Sequence, residues 1–121
     1  MSGFVSFLLN EKMENYYNVL DLMIRNEINK GKRIAIYPFG KNGLQAKNII
    51  VKRYGLPIII IDNHLANYNH NIFSIDDYKK IDSSDITIII SATNYDINKS
   101  ILNNINDKKL KAQISNIIDY L

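Results

Sequence analysis

The longest regular pattern in the chain is a series of apolar residues with helical spacing over residues 10–30. Val5, Leu8 and Leu9 continue this stripe towards the amino terminus, and Gly31 follows it as a residue suited to ending a helix. We therefore predict a helix over about residues 4–30. The stripe consists of Met13, Tyr16, Tyr17, Leu20, Met23, Ile24 and Ile28, whereas Glu11, Glu14, Asp21 and Arg25 lie off it.

Three short apolar runs, at residues 34–37, 58–61 and 86–90, predict strands. The isoleucines of the second and third runs do not alternate with polar residues, which is typical of strands that are covered on both faces of a parallel sheet. Helical spacing follows the first and third runs, over residues 44–54 and 97–105. A parallel arrangement with crossover helices is therefore expected.

The remaining segments carry weaker signals. Residues 63–71 are polar and predict a loop, and residues 72–73 predict a brief strand. Ser74 followed by Asp77 resembles a capping box and predicts the start of a short helix. Residues 114–121 fit either a last strand or a short helix.

This order of elements predicts an α/β fold, in the form of a three-layer Rossmann-like domain with a parallel sheet of about four to five strands and a long N-terminal helix. Residues 1–121 are expected to form one domain, with the α/β core over about residues 32–121. The stripe of the N-terminal helix is longer than one small sheet can cover. We therefore expect a homodimer formed through this helix.

Composition excludes several classes of function. The chain has no Cys, so disulfides and thiolate metal sites are excluded, which fits a cytoplasmic protein. No apolar stretch reaches the roughly 20 residues of a membrane span. The net charge is +3, and the basic clusters at residues 30–33 and 108–111 fit helix ends or turns. The sequence has no continuous basic stripe interleaved with aromatic residues, so no nucleic-acid partner is predicted.

Polar and glycine residues follow the predicted strands at residues 38–43, 62–64 and 91–94. Ligands of parallel sheets bind at the carboxyl ends of the strands, so we expect these three segments to form one site. Glycines let the backbone approach a phosphate at the start of a helix, and an acid about 20 residues later can accept from ribose hydroxyls. The candidate ligand-binding residues are Gly40, Lys41, Asn42, Gly43, Asp62, Asn63, Ser91 and Thr93, with Asn94 on the same wall.

The glycine loop keeps only part of the dinucleotide-binding pattern G-x-G-x-x-G. Pro38 stands where the first glycine belongs, and Phe39 follows it. Proline restricts φ and prevents the tight turn that glycine makes. The loop therefore fits two interpretations, a ligand site and a purely structural turn from strand to helix.

The segments at residues 33–43, 59–63, 72–78 and 88–93 resemble the Rossmann-like domain of bacterial sugar-modifying proteins. Such domains stand at the head of sugar O-acyltransferases and beside methyltransferase or glycosyltransferase domains of surface-polysaccharide pathways. The resemblance covers about residues 32–120. It implies contacts to a nucleotide or nucleotide-sugar from Gly40, Gly43 and Asp62, and Pro38 departs from the pattern.

Other motifs do not lead to a catalytic assignment. Tyr95 and Lys99 have the Y-x-x-x-K spacing of short-chain dehydrogenases, but they come too early in the order of elements. His64 and His70 lie in a polar loop without further convergent ligands, so no metal site is predicted. A methyltransferase would need an acid and further glycines after the first strand. No catalytic residue is assigned, and the identity of any cofactor is left open.

The leading hypothesis is an accessory domain that binds a nucleotide or nucleotide-sugar in bacterial surface carbohydrate biosynthesis. The first alternative is a degenerate Rossmann-like module that has no ligand and dimerises or docks through its N-terminal helix. The second is a small oxidoreductase that uses NAD(P). The side chains of Pro38 and Phe39 separate the first two hypotheses, because the interaction module is favoured if they fill the cleft.

Overall fold

The computed structural model describes residues 2–121, with side chains from residue 15 onward. The predicted stripe positions Val5, Leu8, Leu9 and Met13 lie outside the described side chains, as do Glu11 and Glu14. The main elements are α1 (Ser2–Asn29), β1 (Arg33–Ile36), α2 (Gly40–Asn48), β2 (Ile59–Ile60), α3 (Ile75–Lys79), β3 (Ile86–Ile90), α4 (Tyr95–Asp107) and β4 (Gln113–Asn116). A π-type turn at Ile49–Arg53 continues α2, and 3₁₀ turns lie at Leu65–Asn67 and Ile117–Tyr120.

All four strands of the sheet are parallel, in the order β2-β1-β3-β4. In the register, Ala35 pairs with Ile59 on one side and with Ile88 on the other, and Ile88 pairs with Ile114. A single parallel bridge between Ile61 and Phe73 extends the β2 edge. The α/β class, the parallel sheet and the N-terminal helix agree with the sequence-based prediction. The order in which successive strands are added to the sheet reverses between β1 and β3, because β2 lies on one side of β1 and β3 lies on the other.

Two apolar clusters lie on opposite faces of the sheet. Side chains alternate along a strand, so Ile34 and Ile36 of β1 join one cluster, while Ala35 joins the other. The first cluster contains Leu20, Met23 and Ile24 of α1 with Ala46, Ile49 and Ile50. The second contains Ile75 and Tyr78 of α3 with Ile101 and Ile105 of α4.

The predicted burial of the isoleucine runs is correct for β3 and only partly correct for β2. Every residue of β3 is buried. In the other run, Ile61 is buried, whereas Ile58, Ile59 and Ile60 are half-buried. The reason is position, because β2 lies near the edge of the sheet and has only the short bridge at Phe73 beyond it.

Local signals at element ends are confirmed. Gly31 has a φ of +76° directly after α1, a conformation that glycine adopts at little cost. The Ser74 side chain accepts a hydrogen bond from the Asp77 N–H at 3.1 Å and caps α3. The carboxy-terminal segment contains both predicted alternatives, strand β4 and then a 3₁₀ turn.

Two acidic side chains attach α1 to the rest of the domain. Asp21 lies off the predicted apolar stripe but is buried, because it accepts from the Tyr54 hydroxyl at 2.9 Å and pairs with Arg53 at 3.0 Å. Glu27 is also buried, and the Thr87 hydroxyl donates to its Oε1 at 2.8 Å. None of the helices in residues 2–121 combines the length and apolar character needed to cross a membrane.

Replacing Thr87 with Val should lower the free energy of unfolding by about 1–3 kcal/mol, because the buried Glu27 carboxylate loses a donor while the side-chain volume is kept. Thr87→Ser retains the hydroxyl and should keep the hydrogen bond, so it is the matched control. Urea unfolding followed by circular dichroism measures both variants. Equal stability of the Val variant and the unaltered chain would contradict this role of Thr87.

Candidate functional site

A cleft of about 290 Å³ opens where β1 and β3 end. This is the point at which the strand order reverses, the usual ligand position in an open parallel sheet. Residues 38–43 form one wall, and Ser91, Ala92 and Ile97 form the other. Of the predicted site residues, Gly40, Lys41, Asn42, Gly43 and Ser91 therefore share this cleft, while Asp62, Asn63 and Thr93 are not among its described lining residues.

The two glycines of the loop meet different physical requirements. Gly40 has a φ of +39°, in the region that L side chains rarely adopt. A Cβ at Gly43 would lie 2.7 Å from the Pro38 carbonyl oxygen and 3.2 Å from Ile36 Cγ2. Glycine at position 43 therefore lets α2 pack closely against the end of β1, whereas glycine at position 40 allows the turn itself.

The carboxylate of Asp62 holds main-chain groups of two segments. Its Oδ2 accepts from the Phe39 N–H at 3.1 Å, and its Oδ1 accepts from the Leu65 N–H at 2.9 Å. The first contact joins the end of β2 to the turn before α2, across 23 positions of the chain. Asp62 therefore shapes the loop that forms one wall of the cleft.

Asn63 has a similar structural function one residue later. Its Oδ1 accepts from the Ile75 N–H at 2.8 Å, and its amide donates to the Tyr37 hydroxyl at 3.2 Å. Asn104 of α4 donates to the same hydroxyl at 3.3 Å. Asn63 thus connects the loop after β2 to the start of α3 and to the end of β1.

Ser91 differs from these residues because its hydroxyl is not used within the fold. The side chain is only 1% exposed, and its Oγ has no hydrogen-bond partner among the described residues. Its carbonyl oxygen accepts from the Tyr16 hydroxyl at 3.3 Å. Burial raises the pKa of Tyr16 to about 12, so this hydroxyl stays protonated as a donor at neutral pH. A buried, unpartnered polar atom beside a cleft marks a place where a ligand can supply the missing hydrogen bond.

The wall that contains Ser91 is held by asparagine side chains. Asn94 accepts from the Ile97 N–H at 3.0 Å and caps α4. The buried Asn98 donates to the Ala92 carbonyl at 2.8 Å and exchanges two hydrogen bonds of 2.8 Å with Asn116. Asn98 and Asn116 were not among the residues predicted for the site. The available signal was that Asn98 occupies an apolar-face position, three residues before Ile101 and seven before Ile105.

The charge distribution of the cleft suits an anion. Its described lining contains the cation Lys41 and no acid. No described side chain caps the start of α2, so the first N–H groups of this helix are not held by a capping side chain, and the helix dipole adds partial positive charge there. Phe39 and Ile97 provide apolar surface at the same cleft. The site can therefore take an anionic group together with an apolar or aromatic moiety.

Pro38 and Phe39 border the cleft and leave its volume of about 290 Å³ open. The Phe39 ring also packs below Lys47, whose Nζ lies 5.9 Å from the ring centroid.

Elsewhere, His64 and His70 are exposed, and His64 packs edge-on against Tyr68. The described residues contain no group of three or more potential metal ligands.

No protein-family model, curated protein or solved structure matches this chain.

Gly43→Ala should destabilise the domain by about 1–3 kcal/mol, because the new Cβ overlaps the Pro38 carbonyl and pushes α2 away from β1. Leu44→Ala is the matched control, since Leu44 is 46% exposed on the same helix and should change stability little. Thermal and urea unfolding of the two variants provide the comparison. A Gly43 variant as stable as the Leu44 variant would show that the helix tolerates a side chain there.

Proposed function

We propose that this domain binds a nucleotide or nucleotide-sugar through its phosphate group at the cleft between β1 and β3. The observation that carries the proposal is the unpartnered, buried Ser91 hydroxyl on the wall that faces the start of α2. A phosphate between them would accept from the free N–H groups of the helix and from Ser91 Oγ. Lys41, at the same helix end, would add an attractive charge.

Strand order supports the same proposal. If the bridged position at Phe73 is counted as an edge strand, the order across the sheet is third, second, first, fourth and fifth in the chain. Dinucleotide-binding domains use this order, with the phosphate at the first turn from strand to helix. The close packing required at Gly43 matches the role of the last glycine in their loop. A Rossmann-like domain is therefore our proposal for the fold family.

The sequence resemblance extends the proposal to a biological setting. The similarity of residues 33–43 and 59–63 to domains of bacterial sugar-modifying proteins supports a nucleotide-sugar as ligand. We place the protein in surface carbohydrate biosynthesis in the cytoplasm, as an accessory domain that recognises the nucleotide part of a substrate. The cleft of about 290 Å³ is near the lower end of the range of about 300–1,000 Å³ typical of ligand pockets, which favours enclosure of the phosphate with part of the ligand.

Isothermal titration of the purified chain with UMP, CMP, UDP-sugars, CMP-sugars and NAD tests this function. At least one nucleotide should bind, and Ser91→Ala should weaken that binding about tenfold through loss of one hydrogen bond to a charged group. Ser100→Ala, at an exposed position of α4, should leave the affinity unchanged. The absence of binding by every nucleotide at millimolar concentration would reject the proposal and favour the interaction module.

The length of α1 supports a second proposal, that two copies associate through this helix. Its 28 residues extend about 42 Å, while the described side chains that pack on the sheet begin at Tyr16. Tyr16 reaches the carboxyl edge of the sheet at Ser91, and Ile28 lies at the opposite edge beside Arg33. The preceding residues of the helix therefore continue beyond the carboxyl edge.

Multi-angle light scattering should give twice the chain mass of 14.0 kDa across a wide range of concentration. Removal of residues 2–12 should convert the protein to a monomer, because this part of α1 precedes the described side chains that pack on the sheet. Circular dichroism of the shortened chain provides the control for folding. A mass of one chain at every concentration for the full-length protein would contradict dimer formation.

A further inference from the structure

The acid that follows β2 is placed to hold the protein main chain. Asp62 Oδ2 accepts from the Phe39 N–H, and Oδ1 accepts from the Leu65 N–H. Phe39 directly precedes α2, so this contact determines where the helix begins. The Phe39 residue itself lines the cleft, whereas Asp62 does not. A ligand in the cleft therefore meets the segment that Asp62 holds.

A ribose contact would require a different arrangement of the same carboxylate. An acid that reads a ribose diol accepts from its hydroxyls with oxygens that face the ligand. Both Asp62 oxygens are instead directed at backbone N–H groups, at 3.1 and 2.9 Å. The described lining of the cleft contains no carboxylate that could accept from a diol.

We infer that Asp62 is a positioning residue for the phosphate site and that the cleft recognises the phosphate without reading the ribose hydroxyls. This inference rests on the proposed function. Asp62 acts through the Phe39 N–H, which holds the turn from which the N–H groups of Gly40, Lys41 and Asn42 project. The ligand class is thus a phosphate ester whose sugar carries no required diol.

Removing the charge of Asp62 distinguishes a positioning role from a purely electrostatic one, because the two roles predict opposite changes in phosphate affinity. A carboxylate this near the start of α2 repels a phosphate there, so its neutralisation alone would tighten phosphate binding. Asn at position 62 keeps the shape but offers one amide oxygen in place of two acceptors. One of the two backbone N–H groups then faces another donor, so the side chain no longer holds the Phe39 and Leu65 segments at the same time. Positioning therefore predicts weaker binding, whereas a purely electrostatic role predicts tighter binding.

The experiment titrates the full chain with UMP, with 2′,3′-dideoxy-UMP and with inorganic phosphate. The unaltered chain should bind the two nucleotides with equal affinity. Asp62→Asn should weaken both about tenfold and leave their ratio unchanged. Asp107→Asn, at an exposed position near the end of α4, is the matched control for loss of one negative charge and should change neither affinity.

Each other outcome has a distinct meaning. A preference of the unaltered chain for UMP of about tenfold or more, removed in Asp62→Asn, would overturn the inference and assign Asp62 to the ribose. Tighter binding of both nucleotides by Asp62→Asn would overturn it as well. The comparison of the two nucleotides on the unaltered chain needs no variant, so it decides the ribose question even if Asp62→Asn fails to fold. If the unaltered chain binds neither of these nucleotides nor phosphate, and none of the nucleotides named under the proposed function binds either, the proposed function itself is rejected.

Discussion

The burial of β3 on both faces is the constraint on which the rest of the structure depends. All residues of Ile86–Ile90 are enclosed, so helices have to cover both sides of the sheet. Strands joined through such helices run parallel, and their carboxyl ends therefore meet at one edge. That edge brings the turn after β1 and the turn after β3 together, although more than 40 residues separate them in the chain. The position of the cleft thus follows from the burial of the isoleucine-rich strands on both faces of the sheet.

Several polar side chains near that edge form hydrogen bonds with the protein itself. Asp62 and Asn63 accept from main-chain N–H groups, Asn94 caps α4, and Asn98 pairs with Asn116. These contacts satisfy loop backbone that would otherwise be buried at a cost. Among the described lining residues, Ser91 is the one whose polar side-chain atom is both buried and unpartnered. In the proposed function, the ligand meets the start of α2 and this one hydroxyl, within a frame that the acids and amides hold in place.

The same principle governs the attachment of α1. Apolar contacts of Leu20, Met23 and Ile24 bury the helix, while the carboxylates of Asp21 and Glu27 determine its orientation. A buried carboxylate is tolerated only with hydrogen-bond donors, and each acid has donors in another part of the chain. Tyr54 and Arg53 supply them for Asp21, and Thr87 of β3 supplies one for Glu27. Thr87 is thereby the one polar residue in an otherwise aliphatic strand.

What the sequence determined alone depends on local rules. Several predicted features depend only on neighbours within a few residues, and the structure contains each of them. They are the apolar spacing of α1, the non-alternating isoleucines of β3, the capping Ser74 and Gly31 after the end of α1. The sequence also predicted one site formed by residues 38–43, 62–64 and 91–94, because parallel strands place their ends together. Residues 38–43 and Ser91 do line one cleft, whereas Asp62, Asn63 and Thr93 are not among its described lining residues.

Only the tertiary structure decided which partner each polar side chain meets. Three contacts join residues that are far apart in the chain. Asp21 meets Tyr54 across 33 positions, Asp62 meets Phe39 across 23, and Asn98 meets Asn116 across 18. The half-burial of Ile58–Ile60 likewise depends on where β2 lies in the sheet. Such outcomes depend on the relative placement of whole elements, which the packing of both faces of the sheet determines together and which no local pattern of residues encodes.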